Sequence, residues 1–571
     1  MKRQLQRRPH APLQLRLRPS SVALLLAFAP FAAQAQVATP SAGTILQQVQ
    51  QSKPAAALPA GTGLTIEKQD GAKSPPSAPF MVNKIDISGS TTFDAATLHA
   101  LVADSEGKSL SLDELGNVVG RISDFYHNHG YPLARAIIPA QTIRDGIVHV
   151  MVIEARYGQI KLDNHSSVNS SLLQQTLAPL QAGQTIAQGA LDHTLLLVSD
   201  IPGVSATSVL KPGDAVGTSD LEVQTAVTAP FGGSVTVDNT GNRFTGRTRL
   251  GATVNAIDPL QHGDVLSAGV LTTGSDMNYG SVSYETLLNG LGTRVGGSYS
   301  GLHYTLGDTL TAIKAHGTAD VASVWVKHPF IRTPSYNLYG QLQFDDKQLD
   351  DRVDASGIDT KRHLDNWSAT VNGDWRTTPL AGGAGTWSLG ATAGKVDFDN
   401  ASAGLADAST AKTRGGFTKW LASGAYLQNL STSDALYVSV SGQTSNGNLD
   451  ASEKMVAGGP YSVRAYDVGA LSGDTGVLAS VEWRHALGQL WGGQWQVTGF
   501  VDSEHVTINK TPWLPGDNSA TLSGAGLGLN WYGAGQWHAK LFVATPIGDT
   551  PALLAKDSKS TRAWAEVGLG F

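Results

Sequence analysis

The chain contains no cysteine, which excludes disulfide bonds, thiolate nucleophiles and metal sites built from cysteine. After the N-terminus it has no apolar run of about 18 residues, so no transmembrane helix is expected. Charged residues make up only 15% of its 571 residues, and the formal net charge is −6. A nucleic-acid partner favours a basic surface, so this charge balance argues against one.

The sequence motifs of common catalytic sites are also missing. The chain has no G-x-S-x-G, H-E-x-x-H or G-x-G-x-x-G pattern. The segment Gly107-Lys108-Ser109 has the end of a phosphate-binding loop, but Val102 stands where that loop needs its leading glycine. The histidines are scattered without the spacing of metal ligands. We therefore expect no enzyme activity, no catalytic residue, no cofactor and no metal site.

Glycine and aromatic residues are plentiful instead, with 64 Gly, 12 Trp, 14 Tyr and 14 Phe. From Phe231 to Phe571, segments of about ten residues alternate side-chain character and are separated by Gly, Asp, Asn and Ser clusters. Leu436, Val438 and Val440, for example, lie on one face of such a segment. At roughly 21 residues per strand and loop, residues 231–571 predict a transmembrane antiparallel β-barrel of about sixteen strands. Closure is expected because an open sheet would expose unpaired edges.

Residues 1–35 are typical of a secretory signal peptide. A basic stretch comes first, and the apolar stretch from Val22 to Phe31 follows, too short to span a bilayer. The small residues of Ala33-Gln34-Ala35 are suited to cleavage. Export, the absence of cysteine and a barrel together indicate the outer membrane of a Gram-negative envelope.

Between the signal and the barrel, the pattern changes three times. A Gln-rich helix is predicted over residues 41–53, and the Pro-, Ala- and Gly-rich segment 56–79 is predicted to be a mobile linker. Residues 80–156 then predict a β-α-α-β-β unit, with one face of its second helix apolar. Residues 157–230 predict a second unit of the same order.

The most specific motif lies in the barrel region, within residues 452–469. Val463, Arg464, Ala465 and Tyr466 resemble the Val-Arg-Gly-Tyr motif at the tip of the sixth extracellular loop of the two-partner secretion transporters. This family is the haemolysin secretion/activation group in the superfamily of outer-membrane assembly barrels. Ala465 stands where the family motif has glycine.

A second motif of that family lies on a nearby predicted strand. Phe500 and Asp502 match the first two positions of its Phe-x-Asp-x-Gly pattern, and Glu504 replaces the glycine. In the family, the loop folds back into the barrel, where its arginine pairs with the aspartate of this strand. The resemblance therefore implies that Arg464 pairs with Asp502 inside the lumen.

The resemblance extends to the region before the barrel. Residues 126–141, with Glu154, resemble the end of a first POTRA domain, and residues 201–221 resemble parts of a second. It thus implies two small α/β POTRA domains, at 80–156 and 157–230. It also implies that the segment 36–55 is an N-terminal helix that plugs the pore.

The function that the resemblance implies is protein export. POTRA domains in the periplasm would capture an unfolded exoprotein through its N-terminal secretion domain, and the barrel would pass it to the cell surface. Phe571, an aromatic residue ending an alternating strand, is the type of signal that barrel-assembly machinery recognises in related proteins. The expected partners are thus the exoprotein, that machinery and outer-membrane lipid. An insertase for other outer-membrane proteins and a solute porin are the alternative interpretations.

Overall fold

The computed structural model describes residues 39–50, 63–66, 77–549, 551–554 and 560–571. The predicted signal peptide and most of the predicted linker lie outside the described residues. In the parts of the chain that the structure describes, none of the helices is long and apolar enough to cross a membrane.

Two short elements precede the folded domains. Helix α1 (Ala42–Gln50) lies within the predicted helix 41–53, and strand β1 (Leu64–Ile66) lies within the predicted linker. The interpretation of the whole linker as mobile was therefore wrong at β1. This strand has three residues and pairs with a strand far along the chain, so no local pattern could indicate it.

The first α/β domain has a three-stranded sheet packed against two helices. Its sheet has one parallel and one antiparallel pair, in the order β3-β6-β5, and a separate antiparallel ladder joins β2 and β4. The predicted order missed β4, which is only three residues long. In chain order, the elements are β2 (Phe80–Val82), β3 (Lys84–Ser88), α2 (Ala95–Ala100), β4 (Lys108–Leu110), α3 (Leu112–Asn128), β5 (Arg135–Ile137) and β6 (Ile147–Ile153).

A buried carboxylate, that of Glu154, joins the elements of this domain. It accepts hydrogen bonds of 2.8 Å from the backbone N–H groups of Thr91 and Thr92 and from the hydroxyl of Tyr126. Burial by itself would raise the pKa of Glu154, but these donors stabilise the charged form and hold the pKa at about 2. Burial and the neighbouring carboxylate raise the pKa of Tyr126 to about 12.

The second α/β domain repeats the architecture with a four-stranded sheet. The sheet has the order β1-β8-β9-β7, so the linker strand β1 forms one of its edges. All five elements predicted from the sequence are present, with ends that differ by a few residues. They are β7 (Arg156–His165), α4 (Ser170–Leu177), α5 (Gln188–Ser199), β8 (Val204–Pro212) and β9 (Thr218–Val227).

An ion pair joins this second domain to the periplasmic end of the barrel. Asp200, which follows α5, accepts hydrogen bonds of 2.6 Å and 2.8 Å from the guanidinium of Arg332, of which only 2% is exposed. The backbone carbonyl of Asp200 also accepts a 2.7 Å bond from Arg294. Bidentate charge-assisted contacts add geometric specificity, so this pair attaches the domain to the barrel at a defined point.

Sixteen antiparallel strands form the barrel, and the first and last of them pair to close it. The predicted strand number is thus confirmed. In chain order, the strands are β10 (Phe231–Asp238), β11 (Arg249–Ile257), β12 (Val265–Thr272), β13 (Met277–Leu287), β14 (Arg294–Thr305), β15 (Ala315–Arg332), β16 (Tyr336–Val353), β17 (Ile358–Thr377), β18 (Gly383–Phe398), β19 (Gly415–Asn429), β20 (Asp434–Ser445), β23 (Thr475–Leu490), β24 (Gly493–Thr507), β25 (Ser519–Gly533), β26 (Trp537–Pro546) and β27 (Arg562–Gly570).

Short elements also lie in the loops of the barrel. Helix α6 (Ala401–Ser409) lies between β18 and β19, and strands β21 (Met455–Ala457) and β22 (Leu471–Gly473) pair with each other between β20 and β23. The barrel strands themselves expose apolar side chains on the outside, such as Leu541 and Val543 of β26. This alternation suits a lipid-facing exterior and a polar lumen.

Candidate functional site

The loop between β20 and β23, residues 446–474, folds back into the barrel and is called the returning loop. The pairing of β21 with β22 makes it a narrow hairpin. Gly458 and Gly459 near its tip have φ values of +88° and +109°, a backbone region that only glycine adopts without strain. Past this turn, all four side chains of the predicted motif are buried, namely Val463, Arg464, Ala465 and Tyr466.

Arg464 pairs with Asp502 on β24. Its Nε lies 2.8 Å from Oδ2 of Asp502 and its Nη2 lies 2.7 Å from Oδ1, a bidentate pair. The backbone N–H of Arg464 donates a further bond of 3.2 Å to Oδ2. Asp502 is fully buried and Arg464 is 5% exposed, so the pair is shielded from bulk water.

Several more residues surround this guanidinium, including Ser480, whose hydroxyl accepts a 3.1 Å bond from Nη2. Nη1 of Arg464 donates a 2.7 Å bond to Glu482 on β23, and Glu482 also pairs with Arg484 at 2.7 Å. The guanidinium carbon lies 3.5 Å from the ring centroid of Phe500, a cation–π contact. The two arginines and two carboxylates balance in charge, and nearly every donor of Arg464 has a partner. The sequence motifs contain Phe500 and Asp502 but not Glu482.

The last barrel strand contacts the same loop tip through Trp564. In the alternation of β27, Trp564 is the aromatic residue on the otherwise polar face, and the structure places it in the lumen with 3% exposure. Its indole N–H donates a 2.7 Å hydrogen bond to the backbone carbonyl of Arg464. This break in the alternation was the only sequence signal for its role.

The two departures from the family motifs both have partners in the structure. The methyl group of Ala465 lies against Gly524 on β25, where any side chain would collide with it. Glu504, at the position of the family glycine, lies within the regular pairing of β24 and is fully buried. Its carboxylate accepts a hydrogen bond from Ser462 of the returning loop. Glu504 is thus a second attachment of this loop to β24.

A third attachment lies near the base of the returning loop. Glu453 is 2% exposed, and its carboxylate lies 2.6 Å from Lys347 and 2.8 Å from Lys419, on two different barrel strands. The neighbouring Asp450 lies 2.6 Å from Arg362. These pairs join residues far apart in the chain, and no sequence motif indicated them.

Helix α1 lies in the lumen beside the returning loop. The backbone N–H of Ala42 donates a 2.6 Å bond to Asp351 on β16, and Gln47 donates to the backbone carbonyl of Ser452 in the loop. Ile45 and Leu46 of α1 are buried in an apolar cluster of the barrel wall. The helix therefore fills part of the lumen, in contact with both the wall and the loop.

Phe571 ends the chain at the closing seam of the barrel. The pairing of β10 with β27 includes five residue pairs, and Phe571 extends it through two backbone hydrogen bonds with Gly233, of 2.9 Å and 3.1 Å. Its side chain is 55% exposed on the outer surface. The predicted assembly signal thus lies apart from the cluster around Arg464.

Comparisons with known proteins agree with this architecture. A family model described as haemolysin secretion/activation protein ShlB/FhaC/HecB matches residues 217–531, and one described as a POTRA domain, ShlB-type, matches residues 80–155. The heme/hemopexin transporter protein HuxB of Haemophilus influenzae (strain 86-028NP) is 28% identical over 446 residues, which cover 77% of this chain and 79% of the relative. The outer membrane transporter CdiB of Escherichia coli O6:K15:H31 (strain 536 / UPEC) is 26% identical over 529 residues, which cover 88% and 86%.

Solved structures show the same fold. CdiB from Escherichia coli aligns with a TM-score of 0.68 and 20% sequence identity over 98% of this chain and 100% of that chain. CdiB from Acinetobacter baumannii aligns with a TM-score of 0.61 and 17% identity over 97% and 98%. The relatives support a transporter over the insertase and porin alternatives. Because the family match spans more than half of the chain, the protein belongs to the haemolysin secretion/activation family ShlB/FhaC/HecB and is a two-partner secretion transporter of the outer membrane.

Proposed function

We propose that the protein captures one unfolded exoprotein through its two POTRA domains in the periplasm and passes it through the barrel to the cell surface. The observation that carries this proposal is the filled lumen, in which α1 and the returning loop occupy the space inside a closed barrel. Hydrogen bonds and ion pairs attach α1 and the returning loop to the barrel wall. Such contacts can be exchanged for those of a passing polypeptide.

The proposed division of the chain assigns one task to each part. Residues 1–35 direct export, 36–55 plug the pore and 56–79 link the plug to the domains. The POTRA domains, 80–156 and 157–230, bind the client, and the barrel of 231–571 conducts it. Within the barrel, Val463, Arg464, Ala465 and Tyr466 hold the returning loop against Phe500 and Asp502 on the wall.

The proposed client is a large exported protein with an N-terminal secretion domain. The relative HuxB is described as a heme/hemopexin transporter protein and CdiB as an outer membrane transporter. The proposal assigns no catalytic step and no cofactor to the chain. The free energy for transport comes from the client itself, which folds outside the cell and cannot return.

The proposed assembly route uses the terminal aromatic residue. Barrel-assembly machinery recognises Phe571 and the strand before it, and inserts the barrel into outer-membrane lipid. The position of Phe571 at the end of the strand that closes the barrel supports this role.

The test is to compare exported proteins with and without the transporter. In a deletion strain, quantitative mass spectrometry of the medium and cell surface should show the loss of one large exported protein. A plasmid copy of the gene should restore it, and the levels of other outer-membrane proteins should not change.

Two results would contradict the proposal. A parallel decrease of several unrelated outer-membrane proteins would indicate an insertase. An unchanged set of exported proteins, together with slower uptake of small solutes, would indicate a porin.

A further inference from the structure

The chain itself occupies one edge of the sheet in the second POTRA domain. Strand β1 of the linker pairs in parallel with β8, with Leu64 opposite Ser208 and Ile66 opposite Leu210. The backbone N–H of Ser208 donates a 3.3 Å hydrogen bond to the carbonyl of Gly63. Because β9 pairs with the other side of β8, β1 covers the edge that would otherwise be open to an added strand.

The side chains of β1 match this edge in an alternating pattern. Leu64 and Ile66 pack on the core of the domain, whereas Thr65 between them is exposed. The residues of β8 opposite the two apolar side chains are almost fully buried. The edge therefore accepts an extended segment with apolar residues at every second position, which is how added strands are recognised.

Strand β1 covers only part of the edge of β8. Strand β1 has three residues, whereas β8 has nine, from Val204 to Pro212. A segment tethered in the same chain is held at an effective concentration on the order of millimolar, so a few residues are enough to occupy the edge. A free strand that pairs along more of β8 makes more backbone hydrogen bonds and can displace β1.

We propose that the β8 edge is the site at which the client adds an extended segment, and that β1 is an internal competitor that covers this edge in the resting protein. The segment of the client carries apolar residues at alternate positions, as Leu64 and Ile66 do in β1. This inference rests on the proposed capture of a client by the POTRA domains, and it specifies which edge captures and what the client must displace.

A disulfide that holds β1 in place tests this proposal in the full-length protein. Thr65 and Val209 are directly opposite in the parallel pair, and neighbouring strands lie about 4.8 Å apart, within the Cα separation that a disulfide spans. The chain has no cysteine of its own, so Thr65→Cys/Val209→Cys can form only this bond in the oxidising periplasm. The readout is export of the protein that is lost from the medium in the deletion strain.

The matched control places the same bond elsewhere on β8. Thr207 and Gln224 are opposite each other in the β8–β9 pair, and both are exposed. Thr207→Cys/Gln224→Cys therefore links two strands that stay paired whether or not β1 leaves. A second variant, Leu64→Ser/Ile66→Ser, weakens the packing of β1 and frees the edge.

The two readings of β1 predict opposite results. If β1 is a competitor, the disulfide between positions 65 and 209 lowers export about tenfold when nine in ten molecules are oxidised. A reductant restores export, the control bond has no effect, and the serine variant exports at least as well as the natural protein. If β1 is merely a structural strand, its bond is harmless and the serine variant loses export.

The remaining outcomes are also decisive. Failure of the bond to form in the resting protein would contradict the resting pairing, and normal export by the fully oxidised variant would overturn the proposal. In either case, the proposed function would still hold, since the deletion experiment tests it separately. If the deletion strain loses no exported protein, the proposed function itself fails.

Discussion

The indole N–H of Trp564 donates a 2.7 Å hydrogen bond to the backbone carbonyl of Arg464, which joins the last barrel strand to the tip of the returning loop. The side chain of the same arginine pairs with Asp502 and Glu482, on β24 and β23. One loop residue thus contacts three barrel strands, two neighbouring each other and one near the closing seam. Its contacts are suited to fixing the loop tip in one position.

Removal of Arg464 should release the loop without unfolding the barrel. Arg464→Ala leaves the fully buried carboxylate of Asp502 without its partner, and such losses cost about 3–5 kcal/mol. The variant should insert into the membrane at a near-normal level, since the strand ladder does not depend on the loop. Its export of the client should fall by a factor on the order of ten or more. Heat-modifiable gel mobility measures the barrel, and an immunoblot of the medium measures the client.

Companion variants test whether the pair itself matters. Arg464→Lys should also fail substantially, because an ammonium cannot form the bidentate contact. Asp502→Ala should resemble Arg464→Ala, and the double variant should be no worse than either. Lys327→Ala is the control, because Lys327 pairs with Glu285 on another barrel strand and neither residue belongs to the cluster around Arg464. Additive losses in the double variant would refute the pairing.

Trp564→Phe should weaken the contact between loop tip and seam while keeping an aromatic ring. The lost hydrogen bond is worth about 1 kcal/mol, and the stranded carbonyl of Arg464 adds to the cost. We expect a smaller export defect than for Arg464→Ala and faster proteolysis of the loop in intact cells. Trp537→Phe on the outward face of β26 is the control. Equal proteolysis of the two variants would contradict the role of the indole.

The plug can be tested by conductance in planar bilayers. Deletion of residues 36–55 should raise conductance while the barrel stays folded. A milder change is Gly43→Leu, since even a Cβ atom at Gly43 would lie 2.6 Å from the backbone nitrogen of Ser452. Gln50→Leu, at the exposed end of α1, is the matched control. If the deletion leaves conductance unchanged, α1 does not limit the pore.

The first POTRA domain should lose stability in acid through Glu154. Its pKa is about 2 in the folded domain, against an ordinary value of 4.5 in the unfolded chain. The charged form is favoured by folding, so the contribution is complete above about pH 4.5 and is lost as the pH falls towards 2. Its size is on the order of 2–4 kcal/mol.

Urea unfolding of a fragment of residues 77–230 at pH 7, 4 and 3 measures this effect. Glu154→Gln should be less stable at pH 7 and should lose much of the dependence on pH. Asp124→Asn, an exposed carboxylate on α3, should behave like the natural fragment. A parallel pH dependence in Glu154→Gln and the natural fragment would rule out Glu154 as its source.

Local patterns were sufficient for most of the fold. Alternation with a period of two needs only neighbouring residues, and it predicted sixteen strands, as the structure shows. The apolar face of α3 and its capping residues Ser111 and Glu114 are likewise local. The three-residue strands β1 and β4 were not predicted, because each pairs with a distant segment and carries little pattern of its own.

The candidate site was predicted only in part. Arg464, Phe500 and Asp502 could be found because they lie in motifs of a known family. Glu482 and Trp564 could not, because neither belongs to these motifs and their partners lie far away along the chain. Trp564 interrupts the alternation of β27, but the interruption alone does not name a partner.

The sequence by itself predicted export, a barrel and a loop motif, because signal composition, alternation and motif spacing are properties of short segments. Only the tertiary structure decided which residues meet in the lumen and that β1 covers the edge of β8. The reason is physical, since closure of the barrel brings residues from distant strands within hydrogen-bond distance. Those contacts depend on strand register and direction around the whole ring, which no single segment specifies.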